Sequence, residues 1–308
     1  MTNPKEQKNK ESLMRVCAAN DLSGFGRVSL TEIIPCLAAM GIEVCPLPTA
    51  VLSTHTYKFT GYSFIDLTDE MKKIIAHWKT LDIKFDAIYT GYLGSGAQID
   101  ILFEYADYLK SGGTTVIVDP VLGDNVLADC RTLYSNRMKD VLDKMKKLVS
   151  KADIITPNLT EAALLLDEEY DFGIISCEKL KDYLKRLSDL GPDKVAITSV
   201  MTGEEEMSVA VFDKKTDKYY KIDCGYIKRP FHGTGDIFAA VLCGEYVKSK
   251  DFLKASLQAA EFVKQAILKT LEYSELKIEN GVCFEKILAD YFSNSVSEFN
   301  KIPKYKEI

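Results

Sequence analysis

The residues best suited to chemistry form one stretch, Gly233-Thr-Gly-Asp236, which is followed by an apolar run from Ile237 to Leu242. This pattern predicts a tight turn that leads directly into a buried helix. The first backbone N–H groups of a helix have no intrahelical acceptor and lie at the positive end of its dipole, so the turn is a predicted anion site. Two roles are open for Asp236: a helix cap, or a general base that deprotonates an alcohol while the amides hold a phosphoryl group.

The composition is that of an ordinary soluble globular protein. The chain has 308 residues, of which 46% are hydrophobic and 27% charged, enough for one large α/β domain or two small ones. A net charge of −6 argues against a nucleic-acid or anionic membrane surface. No apolar run reaches transmembrane length. Any anion binding must therefore be local.

The N-terminus and the cysteines indicate a cytoplasmic protein. Residues 1–12 are polar and rich in lysine, which predicts a frayed tail and neither a signal peptide nor an anchor. The eight cysteines include no Cys-x-x-Cys pair and lie mostly in apolar segments. This is typical of buried thiols in a reducing compartment. With only three histidines, a transition-metal site is disfavoured.

Short apolar runs recur along the chain, and each ends in a polar or glycine-containing loop. Separated by amphipathic stretches, such runs predict parallel strands that alternate with helices. The predicted strands are Met14–Ala19, Glu43–Thr49, Asp86–Thr90, Thr115–Asp119, Asp153–Thr156 and Lys194–Ser199. Two further alternating runs, Met207–Phe212 and Lys218–Cys224, predict an antiparallel hairpin.

This order of elements predicts an α/β fold with a single doubly wound, mostly parallel sheet, helices on both faces and one small hairpin. Neither a repeat nor a linker interrupts it, so residues 13–300 are predicted to form one domain. We expect residues 301–308 to be a C-terminal tail.

Polar residues stand at or just after the ends of the predicted strands. In open α/β sheets, ligands bind beyond the carboxyl ends of parallel strands. The polar residues at these ends are Asn20 and Ser23, His55 and Thr56, Tyr92, Asp119, Asn158 and Glu161, and Thr198 and Ser199. Plainer roles stay open for some of them: a surface turn around His55, core packing of Tyr92 and a helix cap at Asn158.

Several of these loops together resemble one family. The chain is similar to the ribokinase-like small-molecule kinases in four motifs that occur in the same order: Asp119-Pro-Val-Leu-Gly, Thr156-Pro-Asn-Leu-Thr-Glu161, Ile197-Thr-Ser199 and Gly233-Thr-Gly-Asp236. Leu52-Ser-Thr-His-Thr56 and Gly91-Tyr-Leu-Gly-Ser95 resemble the vitamin B6 kinase branch, and Asp21–Thr31 resembles its bacterial members. The resemblance covers Met14 to Lys264.

The resemblance implies an activity and its requirements. Kinases of this branch transfer a phosphoryl group from ATP to the hydroxymethyl group of pyridoxal, pyridoxine or pyridoxamine, which serves pyridoxal 5′-phosphate salvage. It also implies a ribokinase-like fold, a homodimer and a need for Mg²⁺, often with a stimulating monovalent cation such as K⁺.

The resemblance also implies roles for individual residues. Asp236 matches the general base, and Gly233, Thr234 and Gly235 match the anion hole. The positions on the ATP side are Asp119, Asn158, Glu161, Thr198, Ser199 and His232, with Asp119 and Glu161 also near the metal. The positions in the substrate pocket are Asn20, Ser23, His55, Thr56 and Tyr92, with Asp236 beside them.

One departure from the branch keeps other functions open. Members commonly carry Ser-His or Ile-His where this chain has Ala19-Asn20. A second hypothesis is therefore a kinase of the same superfamily that acts on hydroxymethylpyrimidine or a sugar. The third, a ligand sensor without catalysis, is the least favoured because Asp236 and both glycines of the turn are intact.

Overall fold

A computed structural model of the chain describes residues 13–122, 136–169, 173–227, 229–292 and 303–308. The predicted N-terminal tail, residues 1–12, lies outside the described residues, as does Cys130. The seven cysteines within them are free thiols. No helix in these ranges is both long and apolar enough to cross a membrane.

The described residues form one ten-stranded sheet. Its strands are β1 (Arg15–Ser23), β2 (Glu43–Leu52), β3 (Phe64–Asp66), β4 (Ala87–Thr90), β5 (Thr115–Val118), β6 (Ile154–Ile155), β7 (Lys194–Gly203), β8 (Glu206–Asp213), β9 (Lys218–Asp223) and β10 (Tyr305–Glu307). Their spatial order is β10-β9-β8-β7-β6-β5-β4-β1-β2-β3. The strands from β7 to β2 pair in parallel, and those outside them pair antiparallel. The predicted doubly wound fold is confirmed.

Helices cover both faces of this sheet. They are α1 (Leu30–Ala39), α2 (Thr68–Thr80), α3 (Gly96–Lys110), α4 (Asn136–Lys151), α5 (Leu159–Leu165), α6 (Cys177–Asp189), α7 (Thr234–Ser249), α8 (Phe252–Leu271) and α9 (Phe284–Phe292). Alternate residues along the strands pack into two separate hydrophobic cores, one on each face of the sheet. Val16 and Ala18 pack with α1, α7, α8 and α9, whereas Cys17 and Ala19 pack with α2 to α6. Because both faces are buried, the central strands are apolar on both sides, as parallel strands require.

Several strands differ from expectation. β1 and β2 run past their predicted ends at Ala19 and Thr49, to Ser23 and Leu52, so the predicted loop residues Asn20 to Ser23 belong to β1. β7 does not end at Ser199 but continues to Gly203 after a bulge between Ile197 and Val200. β3 and β10 were not expected, because three residues are too few for an alternating pattern. β10 lies within the segment assigned as a C-terminal tail, where Tyr305 pairs with Ile222 at the exposed edge of β9.

Gly191, after α6, lies very close to the end of α4. The structure therefore predicts that a methyl group added at Gly191 lowers the stability of the fold strongly. Its φ is 150°, and an added Cβ would lie 2.6 Å from the carbonyl oxygen of Ser150. Gly191→Ala should therefore lower the free energy of unfolding by at least about 2 kcal/mol, measured by urea denaturation. Gly112→Ala is the control, since its Cβ meets only the Leu109 carbonyl at an ordinary 3.4 Å. Equal denaturation midpoints for the two variants would contradict the packing.

Candidate active site

The carboxyl ends of β1 and β4 define the centre of the site. These strands are neighbours, but the chain leaves them toward opposite edges of the sheet, through β2 on one side and β5 on the other. Such a switch point opens a crevice between the loops that follow the two strands. Asn20 in β1 and Gly91, just after β4, lie at this crevice.

The Gly233 turn begins α7 beside that crevice. Gly233 is the residue before the helix and has a left-handed φ of 81°, which a residue with a side chain adopts only with strain. The Thr234 hydroxyl donates to the Phe231 carbonyl at 3.3 Å and steadies the turn. Nothing would obstruct a Cβ on the exposed Gly235. The first amides of α7 therefore lie at an accessible helix start, as an anion site requires.

Asp236 is held at this helix start by residues that are distant in sequence. Its Oδ1 accepts a hydrogen bond from Asn20 Nδ2 at 3.2 Å, and its Oδ2 accepts one from the Ser29 backbone N–H at 2.9 Å. Ser29 donates from a left-handed conformation, with φ 56°. The half-buried Asp236 carboxylate is thus fixed in orientation through both of its oxygens.

The buried Asn20 side chain connects several parts of the site through hydrogen bonds. It is 1% exposed, and its Oδ1 accepts from the backbone N–H groups of Asp21 and Tyr92. With Nδ2 bound to Asp236, both ends of the amide are engaged. The sequence placed Asn20 in the substrate pocket; in the structure it joins β1, the loop after β4 and the proposed base.

The Ser23 side chain makes a hydrogen bond within β1. Its buried hydroxyl donates to Asp21 Oδ2 at 2.7 Å, and the Ser29 hydroxyl donates to Asp21 Oδ1 at 2.6 Å. Asp21 thereby fixes the β1–α1 loop, and with it the Ser29 N–H that contacts Asp236.

His55 fastens the loop after β2. Its Nδ1 accepts from the Tyr57 backbone N–H at 3.1 Å, so Nε2 carries the proton and donates to the Glu279 carbonyl at 2.8 Å. His55 is buried, whereas Thr56 is exposed. Of these two predicted substrate residues, only Thr56 therefore has an accessible side chain.

His232, immediately before the Gly233 turn, stacks within the same loop. Its ring lies 5.5 Å from that of His55 and 3.7 Å from that of Tyr57. Burial lowers the pKa of His232 to about 4, and the positive charge of Lys58 acts in the same direction. The neutral His232 ring thus connects the turn to the loop after β2.

Tyr92 lies on the other side of the crevice and is half-buried. Its carbonyl accepts from the Thr49 hydroxyl at 3.0 Å. The buried Gln98 supports this loop from α3, since its Oε1 accepts from Gly94 N–H and its Nε2 donates to the Thr49 carbonyl, both at 2.9 Å. The backbone at Tyr92 is held at both its N–H and its carbonyl.

Asn158 and Glu161 form a capping box at the start of α5. Asn158 Oδ1 accepts from the Glu161 N–H, and Glu161 Oε2 accepts from the Asn158 N–H, both at 2.9 Å. Glu161 Oε1 also accepts from the Leu122 N–H at 3.2 Å. The helix-cap role that the sequence left open for Asn158 is thus present, and the box connects α5 to the loop after β5.

The remaining predicted ATP-side residues lie along the same edge of the sheet. Asp119 is buried directly after β5, and its N–H donates to the Thr90 carbonyl. Thr198 pairs with Asn158 in an isolated parallel bridge. The exposed Ser199 has a left-handed φ of 56° within the bulge of β7.

The carboxylates along this edge fit a magnesium ion better than a transition metal. The part of the chain that the structure describes has no cluster of three or more His, Cys, Asp or Glu side chains able to hold a metal. Mg²⁺ keeps several waters and needs only one or two carboxylates. Asp119 fits this requirement, whereas both oxygens of Glu161 accept backbone hydrogen bonds. Glu161 is better placed to hold a metal-bound water than the ion itself.

Buried polar atoms without partners concentrate at the same edge. In the described ranges, they belong to Glu32, Tyr89, Thr90, Thr156 and His232. Buried polar groups are normally paired by protein or by ordered water. Their position at the ends of β4 and β6 and around the Gly233 turn marks a region where water or a ligand completes the hydrogen bonding.

A family comparison agrees with this geometry. The model of the phosphomethylpyrimidine kinase family matches residues 34–280, which is most of the chain. The chain belongs to this family. The resemblance to ribokinase-like kinases and the prediction of a kinase are thereby confirmed.

Solved structures include similar members of this kinase family. A protein from Bacteroides thetaiotaomicron, provisionally named a phosphomethylpyrimidine kinase, superposes with a TM-score of 0.87 at 42% identity, covering 98% of this chain and 100% of that one. The orthorhombic crystal form of that protein, with pyridoxal, superposes with a TM-score of 0.85 at 43% identity, covering 96% of this chain and 100% of that one. Pyridoxal kinase from Lactobacillus plantarum superposes with a TM-score of 0.80 at 28% identity, covering 92% of this chain and 98% of that one.

One curated relative is much longer. A chloroplastic thiamine biosynthetic bifunctional enzyme from Arabidopsis thaliana is 28% identical over 82% of this chain. This chain spans only 45% of the length of that enzyme.

Sequence reasoning missed several residues that shape the site. Ser29 acts through its backbone N–H, so its residue type carries no signal. Asp21 and Ser23 lie on the same face of β1, so their contact could be expected only from a strand that runs to Ser23. Glu32 is a lone carboxyl in the otherwise apolar first half of α1. The hydrogen-bond partners of Gln98 can be identified only from the folded structure.

The buried His232 predicts a specific dependence of stability on pH. An unfolded histidine has a pKa near 6.5, so between about pH 6.5 and pH 4 the unfolded chain binds a proton that the folded chain does not. The free energy of unfolding should therefore decrease as the pH is lowered from about 6.5 to about 4. The contribution of His232 to this decrease is up to about 3 kcal/mol. His232→Phe should reduce that loss in denaturation curves at pH 7, 5.5 and 4.5. His77→Phe, at an exposed histidine on α2, should not. The same acid-dependent loss in both variants would contradict the assignment.

Proposed function

We propose that this chain is an ATP-dependent kinase that phosphorylates the hydroxymethyl group of a B6 vitamer: pyridoxal, pyridoxine or pyridoxamine. The observation that carries the proposal is the Asp236 carboxylate, oriented by Asn20 and Ser29 beside the backbone amides that begin α7. The substrate class is supported by the relative crystallised with pyridoxal, which is 43% identical.

The reaction follows from this arrangement. The alcohol oxygen of the substrate attacks the γ-phosphorus of ATP, the bond between that phosphorus and the β–γ bridging oxygen breaks, and ADP leaves. Asp236 accepts the alcohol proton, which contributes about 10²–10⁴-fold to the rate. The amides of the Gly233 turn hold the transferring group, and each well-aimed donor contributes about 10²–10³-fold. Most of the catalysis is positioning and neutralisation of charge.

The ATP side of the proposal uses the loops after β5, β6 and β7. Asp119 would hold Mg²⁺, Glu161 would orient its water, and Thr198 and Ser199 would contact the nucleotide. Mg²⁺ bound there would neutralise phosphate charge. The roles of Thr56 and Tyr92 in the vitamer pocket belong to the same proposal.

Other features of the proposal come from the family resemblance. They are a homodimer and stimulation by a monovalent cation such as K⁺. A cytoplasmic location and a single kinase domain over residues 13–300 are proposed from the sequence pattern.

A second candidate is a hydroxymethylpyrimidine kinase. Two observations favour it: the description of the matching family, and the similarity to a thiamine biosynthetic enzyme. Its substrate is also a planar ring with a primary alcohol, so the same base and anion site would serve it. The ligand sensor is the least supported function, because Asp236 is oriented as a base requires.

A substrate panel separates these functions. ADP release would be measured with pyridoxal, pyridoxine, pyridoxamine and hydroxymethylpyrimidine at equal concentrations, with ribose as a sugar control. We expect the highest kcat/KM with a B6 vitamer and no turnover of ribose. Preferential turnover of the pyrimidine would replace the proposal by the second candidate, and nucleotide binding without any phosphorylated product would favour the sensor.

Replacing the base tests the mechanism. Asp236→Asn keeps the shape of the side chain but cannot accept the alcohol proton. We expect kcat to fall at least about 10²-fold with little change in the affinity for ATP. Asp251→Asn is the matched control, because Asp251 caps α8 through the Lys254 N–H and asparagine caps equally well. Near-normal turnover by Asp236→Asn would remove Asp236 as the base.

A further inference from the structure

Glu32 is a carboxyl group buried beneath the Gly233 turn. It lies in the first turn of α1 and is 0% exposed. Neither of its carboxyl oxygens has a hydrogen-bond partner within the described residues. A Cβ placed on Gly233 would lie 2.5 Å from both Oε1 and Oε2 of Glu32, so the carboxyl packs directly against this glycine. The start of α7 therefore has an ionisable group against its inner side.

The surroundings of Glu32 oppose its charged form. Burial, followed by the negative charges of Asp236 on α7 and Glu285 on α9, raises the pKa of Glu32 well above its usual range. Arg27 in the β1–α1 loop acts in the opposite direction, but its guanidinium is paired with Glu285 at 2.6 Å. The uncharged carboxyl is the favoured form.

The other titratable groups near Glu32 do not supply a positive charge. They are Tyr89 on β4 and Cys36 one turn along α1, and the charge of Glu32 contributes to raising the pKa of both. Ionisation of Glu32 would thus place a negative charge under the turn with only the shared Arg27 to offset it.

We propose that Glu32 is a positioning residue of the phosphate-binding turn: its uncharged carboxyl supports Gly233 in the conformation that accepts a phosphate, and its ionised form repels that phosphate. The inference rests on the proposed function, in which the turn binds the γ-phosphate of ATP. Glu32 touches neither substrate nor nucleotide and acts through Gly233.

Glutamine separates charge from shape at this position. Glu32→Gln has the size of the protonated side chain but cannot ionise, so it keeps the packing under Gly233 and removes only the charge. Two charges a few ångströms apart in a partly buried site interact strongly. Affinity for ATP should therefore weaken at high pH in the wild-type chain and not in this variant.

The test is binding of a non-hydrolysable ATP analogue, AMP-PNP, by calorimetry between pH 6 and 10. For the wild-type chain we expect Kd to rise at least about tenfold across this range, and for Glu32→Gln to stay within about twofold. Glu261→Gln is the matched control, since Glu261 is a buried glutamate on α8 that accepts from Gln265. It should follow the wild-type profile.

Three results of the binding test would overturn the inference. A parallel rise of Kd in the wild type and Glu32→Gln would assign the pH dependence to another group. An equal loss of affinity by Glu32→Gln at every pH would show a merely structural role. If the wild type binds AMP-PNP with a Kd that does not change with pH, the inference is wrong and the proposed function is unaffected. If the wild type does not bind AMP-PNP at any pH, the proposed function is wrong as well.

Thermal unfolding without nucleotide gives an independent readout. A carboxyl whose pKa is raised by folding contributes stability that is lost as pH increases through the folded-state value. This loss begins at the unfolded-state pKa of 4.5, so Glu32→Gln should match the wild-type Tm at pH 4.5 and exceed it at pH 9. A lower Tm for the variant at both pH values would contradict an uncharged Glu32.

Discussion

The site depends on the way the Asp236 carboxylate is held. One oxygen accepts from Asn20 at the end of β1, and the other accepts from the Ser29 backbone ahead of α1. A carboxylate at a helix start could simply cap its own helix, but these two donors come from the opposite end of the chain and fix its direction instead. The proposed division of roles, in which the amides hold a phosphoryl group and Asp236 acts as the base, depends on this one arrangement.

The fold supplies that arrangement through the β1–α1 loop. Asp21 accepts from Ser23 and Ser29, so a single buried carboxylate fixes the loop that orients the base. The same loop lies over Gly233 and carries Glu32 beneath it. The Gly233 turn, Asp236 and Glu32 are therefore held together by contacts among β1, the β1–α1 loop, α1 and the start of α7.

The second layer of the site is aromatic. His232 connects the Gly233 turn to the loop after β2 by stacking with His55 and Tyr57. His55 in turn fastens to Glu279, ahead of α9. Movement of any one of these loops would disturb the ring stack, so the Gly233 turn, the loop after β2 and the segment ahead of α9 are physically coupled.

The sequence by itself determined the fold class and the location of the site. Apolar runs with polar ends specify parallel strands, and the carboxyl ends of such strands share one edge, so Asp119, Asn158 and Asp236 could be brought together before any coordinates. What it could not determine was how each polar side chain is used. Asn20 lies in β1 and His55 in the loop after β2, and each bonds to segments that are 72 to 224 residues away in the chain, so their partners could not be read from local sequence. Ser29 acts through its backbone and Glu32 through burial, and only the tertiary packing decides either property.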